Sequence, residues 1–156
     1  MSTSVDVGAK APEFDLPGDE SRRISLAALR GQKVVLFFYP KDDTSGCTAE
    51  AIAFNALQTE FAAAGAVVIG MSPDSPASHD RFKAKHKLSL SLASDPEKST
   101  LDAYGVWKEK SMYGRKYMGV ERTTLLIDAE GKIIRSWRKV KVPGHAQEVL
   151  AAAKSL

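Results

Sequence analysis

The sequence predicts a three-layer α/β domain with a mixed central sheet and an N-terminal extension. Three observations carry that expectation. The runs Lys33–Tyr39 and Ala66–Ser72 are continuously apolar, with β-branched and aromatic side chains, as expected of strands covered on both faces. Segments with helical periodicity follow each of them. Two later strands, Arg122–Asp128 and Lys132–Trp137, are joined by a turn that ends in Gly131. The resulting order, β-α-β-α-β-β-α with the most apolar strands innermost, calls for helices on both faces of the sheet.

In chain order, Met1–Lys10 is expected to be a loose leader with neither a basic start nor an apolar run, so no secretory signal is expected. Ala11–Gly18 alternates apolar and polar residues between prolines and predicts a short edge strand, with Arg23–Leu26 as its partner. Ser25–Gly31 predicts one helical turn, capped by Ser25 and stopped by Gly31. Cys47–Ala64 predicts one long helix ended by Gly65, in which Cys47, Glu50, Ala51, Phe54, Leu57 and Phe61 form an inward stripe. Pro76–Lys87 predicts a helix capped by Ser75 with Phe82 inward. Leu88–Ala93 is expected to be extended, and Asp95-Pro96 to open a turn or short helix that turns Leu101 and Tyr104 inward. Val106–Val120 is punctuated by glycine and is expected to be irregular. Pro143-Gly144-His145 opens a last amphipathic helix with Val149 and Leu150 inward. A closing hairpin followed by a helix fits a thioredoxin-like core.

The chain of 156 residues is expected to form one domain over 1–156, large enough for a substantial core. No apolar run approaches the roughly 20 residues that span a bilayer, so no membrane association is expected. A single cysteine cannot close an internal disulfide, and a reducing, cytoplasmic setting is the default. The net charge of +3 is mild, but residues 103–141 hold ten Lys or Arg against four Asp or Glu. These basic residues alternate with Ile133, Ile134 and Trp137 and match no nucleic-acid-binding motif, so a solvated strand surface is expected rather than a nucleic-acid partner. A positive field there would still draw in small anionic or polar substrates. No cluster has metal-ligand spacing, no glycine-rich phosphate loop is present, and neither metal nor cofactor is expected.

The chemistry centres on the loop that follows the first central strand. Cys47, the only cysteine, starts a helix, where amide groups and the helix dipole stabilise a thiolate. Thr44 lies three residues earlier, so its hydroxyl can turn to the sulfur, to an incoming oxygen, or to the loop itself as a cap. Pro40 fixes the chain as it leaves the strand, and Gly46 lets backbone approach a ligand closely.

Pro40, Thr44 and Cys47, spaced as Pro, three residues, Thr, two residues, Cys, resemble the peroxiredoxin signature. Phe37–Asp42 together with Gly46–Glu50 is similar to the bacterioferritin comigratory protein, or peroxiredoxin Q, subfamily. Glu121–Asp128 resembles the segment that carries the active-site arginine of that family, and Gly8–Phe14 and Val142–His145 also match. The resemblance covers nearly the whole chain. It implies a thiol peroxidase acting on hydrogen peroxide and organic hydroperoxides. In that reading Cys47 attacks the O–O bond and becomes a sulfenic acid. Arg122 stabilises the thiolate and the peroxide, Thr44 binds the distal oxygen, Pro40 shields the pocket, and Glu50 orients the arginine. Taken alone, Arg122 could be a surface ion-pair partner, but the start of an apolar strand is a costly place for an idle charge. Glu50 alone could be a helix-N-terminal charge.

One departure matters. Members of the subfamily carry a resolving cysteine five residues after the first, where this chain has Ile52, or on the next helix around Phe82–Ala84, where none occurs. The oxidised Cys47 must therefore meet an outside thiol: a thioredoxin, a glutaredoxin with glutathione, a small thiol, or a second copy of the chain. A monomer or weak homodimer is expected. His79, His86 and His145 are expected to serve surface or capping roles. The competing enzyme reading, a thiol–disulfide oxidoreductase, lacks a Cys-x-x-Cys pair and a proline in Glu121–Thr124. A basic binding module and a redox sensor are the non-enzymatic alternatives.

Overall fold

The structure, a computed structural model, describes residues 6–156. Residues 1–5 of the expected leader lie outside that range. The rest of the leader is tied down: Gly8 N–H donates to Ile133 O at 2.7 Å and Ala9 O accepts from Ile133 N–H at 2.9 Å. Strand β1 (Asp15–Pro17) pairs antiparallel with β2 (Arg23–Ser25). Ser25 stays in β2 and caps nothing, while Ala27–Leu29 forms a single 3₁₀ turn.

Strand β3 (Lys33–Phe38) is the centre of the molecule. It leads into helix α1 (Ser45–Ala56), and α2 (Gln58–Ala63) follows it. The expected single helix thus begins two residues early and breaks at Leu57, whose ψ of 7° leaves the helical range. The break re-aims the last turn, and Phe61 lands fully buried beside Phe54, with ring centroids 6.0 Å apart. Next come β4 (Ala66–Ser72), α3 (Pro76–His86), β5 (Ser91–Ser94) and α4 (Ser99–Ala103). Ser75 caps α3 as expected, its Oγ accepting from Ser78 N–H at 3.1 Å.

Val106–Val120 departs from expectation. It is an antiparallel hairpin of β6 (Trp107–Met112) and β7 (Arg115–Val120). Its two turn residues, Tyr113 and Gly114, have φ of 52° and 78°, the left-handed pair that matches strand twist in a two-residue turn. The chain closes with β8 (Thr123–Ile127), β9 (Ile133–Trp137) and α5 (His145–Lys154).

The five-stranded sheet has the order β5-β4-β3-β8-β9. β3, β4 and β5 are parallel, and β8 and β9 are antiparallel to their neighbours, so the sheet is mixed. Alternation along β3 divides the core. Val35, Phe37 and Tyr39 face α1, α2 and α5, whereas Val34, Leu36 and Phe38 face Leu101, Tyr104 and the N-terminal segment. Phe37 stacks on Phe54 of α1 at 4.7 Å. Truncating a fully buried ring such as Phe54 to alanine costs about 3–5 kcal/mol. That packing holds the first turn of α1 at the C-terminal end of β3.

Candidate active site

β3 ends at Phe38, and the next residues form the loop that places Cys47. Tyr39 N–H still donates to Met71 O at 3.1 Å, and Pro40, which has no amide hydrogen, ends the ladder. Thr44 is the extended residue before α1 and Cys47 is the third residue of the helix. The thiol is 1% exposed and belongs to the buried cluster that includes Ala51 and Phe54. No side chain caps the first turn of α1, which leaves the helix N-terminus directed at whatever anion forms there.

Arg122 comes from the residue just before β8. Its Nη2 donates to Cys47 Sγ at 3.3 Å and its Nη1 to Glu50 Oε1 at 2.6 Å. One planar guanidinium thus bridges the thiol and a buried carboxylate one turn along the same helix. Gly46 makes room for it: a Cβ there would sit 3.3 Å from Arg122 Nη2. Burial pushes the Glu50 carboxyl up to about 7, against the pull of the guanidinium. Burial works against the Arg122 charge too, but Glu50 and Cys47 hold its pKa above the ordinary value. Glu50 Oε2 is buried with no hydrogen-bond partner among the described residues.

Thr44 is exposed, and its hydroxyl donates to Lys41 O at 2.9 Å. The proton therefore closes the loop, and the oxygen is left to accept. Pro40 is half-buried at the loop's start.

Two of the histidines expected in surface or capping roles are buried. His79 is fully buried beneath the loop, with Nδ1 2.7 Å from Asp42 Oδ2 and Nε2 donating to Ala93 O at 3.1 Å. Asp42 also accepts from Tyr39 Oη at 2.6 Å and from Ser78 Oγ at 2.8 Å. Burial first, and the Asp42 charge next, raise the Tyr39 pKa well above its ordinary value. About two turns further along α3, Lys85 and His86 hold Asp43, the left-handed residue of the loop, at 2.7 and 2.8 Å. The signal for His79 was its spacing from Phe82, which puts both on one helix face. His145 is buried between Phe54 and Trp137, its Nε2 2.8 Å from Thr124 Oγ1, and burial lowers its pKa. His86 remains at the surface. Lys110 was not singled out in the sequence, yet it stands near Arg122, and burial followed by that guanidinium pushes its pKa down.

Residues 7–136 match the model of the AhpC/TSA family. A putative Bcp peroxiredoxin of Coxiella burnetii is 50% identical over 94% of this chain and 97% of its own length. The Bcp peroxiredoxin of Bacillus subtilis is 46% identical over 98% of both chains. A structure of the Xanthomonas campestris bacterioferritin comigratory protein, concerned with its alkyl peroxide reduction activity, is similar at a TM-score of 0.87, with 46% identity over 91% of this chain and 90% of its own. A Xylella fastidiosa PrxQ structure is similar at a TM-score of 0.93, with 39% identity over 98% of both chains. The chain belongs to the AhpC/TSA family, in the Bcp or PrxQ branch of the peroxiredoxins, and is a thiol peroxidase.

Proposed function

We propose that Cys47 is the peroxidatic residue and that Arg122, Thr44 and Pro40 form its pocket, with Glu50 positioning the arginine. The observation that carries this is the 3.3 Å contact from Arg122 to the sulfur in the first turn of α1. The Cys47 thiolate attacks one peroxide oxygen, the O–O bond breaks, and its electron pair leaves on the other oxygen, which takes a proton to become water or an alcohol. The sulfur is oxidised to sulfenic acid and the peroxide is reduced. Charge grows on the leaving oxygen, and the Arg122 guanidinium is the donor fixed beside it. Thr44 Oγ1, its own proton committed to Lys41, accepts from the peroxide's O–H. Pro40 shields the pocket from the β3 side.

The chain holds no second cysteine, so an external thiol attacks the sulfenic sulfur, water leaves, and a second thiol releases Cys47 from the mixed disulfide. A thioredoxin, a glutaredoxin with glutathione and a small thiol all satisfy that chemistry. Hydrogen peroxide and organic hydroperoxides are both within the reading. The alkyl peroxide reduction of the Xanthomonas campestris relative supports the organic substrates. The reading takes residues 1–156 as one domain acting as a monomer or weak homodimer in the cytoplasm, where reducing thiols are abundant. Among the described residues no helix is long and apolar enough to cross a membrane.

The test is Cys47→Ser. It is expected to abolish peroxide consumption in a protein that still folds, and mass spectrometry of the peroxide-treated parent should find a trappable sulfenic acid on Cys47. Turnover retained in the variant would remove Cys47 from the reaction.

A further inference from the structure

Beside Arg122 a cleft of about 720 Å³ opens between the β6–β7 hairpin and the segment that follows β9. Lys110, Tyr117, Glu121, Arg122, Lys139 and Val140 line it. Val140 N–H donates to Arg122 O at 3.0 Å, which fastens one wall to the backbone that carries the arginine.

The charges in and around this cleft do not cancel. Glu121 is taken by Lys108 at 3.2 Å, and Glu109 by Lys116 at 3.7 Å. Among the described residues the side chains of Lys110 and Lys139 make neither a hydrogen bond nor an ion pair, and Lys110 sits near both the Arg122 guanidinium and the Glu121 carboxylate. Lys108, Lys110, Arg122 and Lys139 outnumber the two lining acids, Glu109 and Glu121, and an excess of one sign of charge in a concave site raises the local concentration of small anions. The walls are also apolar in part. The Lys110 stem lies against Gly119, where a Cβ would come within 3.3 Å of it, and Tyr117 and Val140 add an aromatic ring and a branched side chain. Cation, ring and aliphatic surface together suit a carboxylate on an organic body.

We propose that this cleft is a subsite for the carboxylate of a small organic reactant, held by Lys110 and Lys139 while its peroxide or thiol end reaches Cys47 beside Arg122. The inference rests on the peroxidase reading and adds to it the charge class of the reactant. A fatty-acid hydroperoxide and a carboxylate-bearing thiol present the same group, and they enter different half-reactions.

The test compares matched pairs in each half-reaction. Oxidation of the reduced protein is timed with linoleic acid hydroperoxide and with its methyl ester. Reduction of the oxidised protein is timed with 3-mercaptopropionate and with its methyl ester. The acid-to-ester rate ratio is expected to fall roughly fivefold in the Lys110→Met, Lys139→Gln double variant, the size of one partly screened ion pair. A fall in the oxidation arm names the hydroperoxide, and a fall in the reduction arm names the thiol. Lys132→Met, in the turn between β8 and β9, removes a charge that does not line the cleft and should leave both ratios unchanged. Ratios unchanged by the double variant in both arms would overturn the proposal. A parent protein that consumes no peroxide would instead defeat the reading of Cys47. The subsite is then read by titrating decanoate into Cys47→Ser and following amide resonances. Shifts centred on Lys110, Tyr117 and Lys139 support it, and shifts absent or elsewhere overturn it.

Discussion

The two flanks of Cys47 are built on opposite principles. On the α3 side the loop is locked by a buried network in which Asp42 meets Tyr39, Ser78 and His79, and at the surface Asp43 meets Lys85 and His86. On the β6–β7 side Arg122 faces an open cleft whose two free lysines have no partner among the described residues. A dry, satisfied network gives one geometry, because any other leaves buried polar groups unpaired. An open, under-paired flank admits a molecule. In the proposed reading the thiol is held from one side and approached from the other.

Removing the arginine strikes the boundary between the flanks and carries the largest effect. Arg122→Ala is expected to slow peroxide reduction by about 10²-fold, the loss typical of one charge-directed donor. An unchanged rate in stopped-flow oxidation would detach Arg122 from the chemistry.

The locked flank is broken by Asp42→Ala, which leaves Tyr39, Ser78 and His79 without their shared acceptor. Chemical denaturation should show a loss of about 3 kcal/mol. A loss below about 1 kcal/mol would mean that the network does not hold the loop.

Glu50 sharpens the comparison through pH. Its carboxyl is pushed up to about 7 from an ordinary 4.5. Between those values the unfolded chain ionises while the native one keeps its proton, so the native state binds more protons and stability falls as pH rises. The group's contribution is full below 4.5 and gone above about 7, a change of up to roughly 3 kcal/mol. Burial lowers the His145 pKa, which tilts stability the other way, so the parent's slope alone is not diagnostic. Urea titrations across that range should show Glu50→Gln losing the downward component. A slope shared by parent and variant would show that Glu50 does not titrate there.

The smallest effect belongs to the open flank. Gly114→Ala places a side chain at φ 78° in the exposed hairpin turn and should cost about 1 kcal/mol, with little change in hydrogen peroxide turnover. Thermal denaturation checks the first value. A loss as large as that of Asp42→Ala would make the hairpin part of the rigid frame.

Much of this was legible locally. β3 and β4 stood out because strands covered on both faces are apolar throughout, and the cap and proline of α3 act within one turn of it. The placement of Cys47 at a helix start, with Pro40 and Thr44 at fixed steps before it, is likewise a property of a few consecutive residues. The β6–β7 hairpin was hidden because its residues are mostly exposed on both faces, which erases the alternation that marks a strand. The break at Leu57 is set by how Phe61 packs, not by any helix breaker in the chain. His79 and His145 lie in stretches that read as polar, and only the partners Asp42 and Thr124, brought from other elements, make their burial tolerable.

The loop from Pro40 to Cys47 was thus written in the sequence, as was the need for a thiol from outside, because a cysteine count is arithmetic and a helix start is local. The tertiary structure alone decided that Arg122 spans 75 residues to touch the sulfur, that Gly46 is the space it enters, and that Lys110 and Lys139 gather beside it. Contacts of that separation depend on how a sheet and its helices close around one core, and no local pattern encodes them.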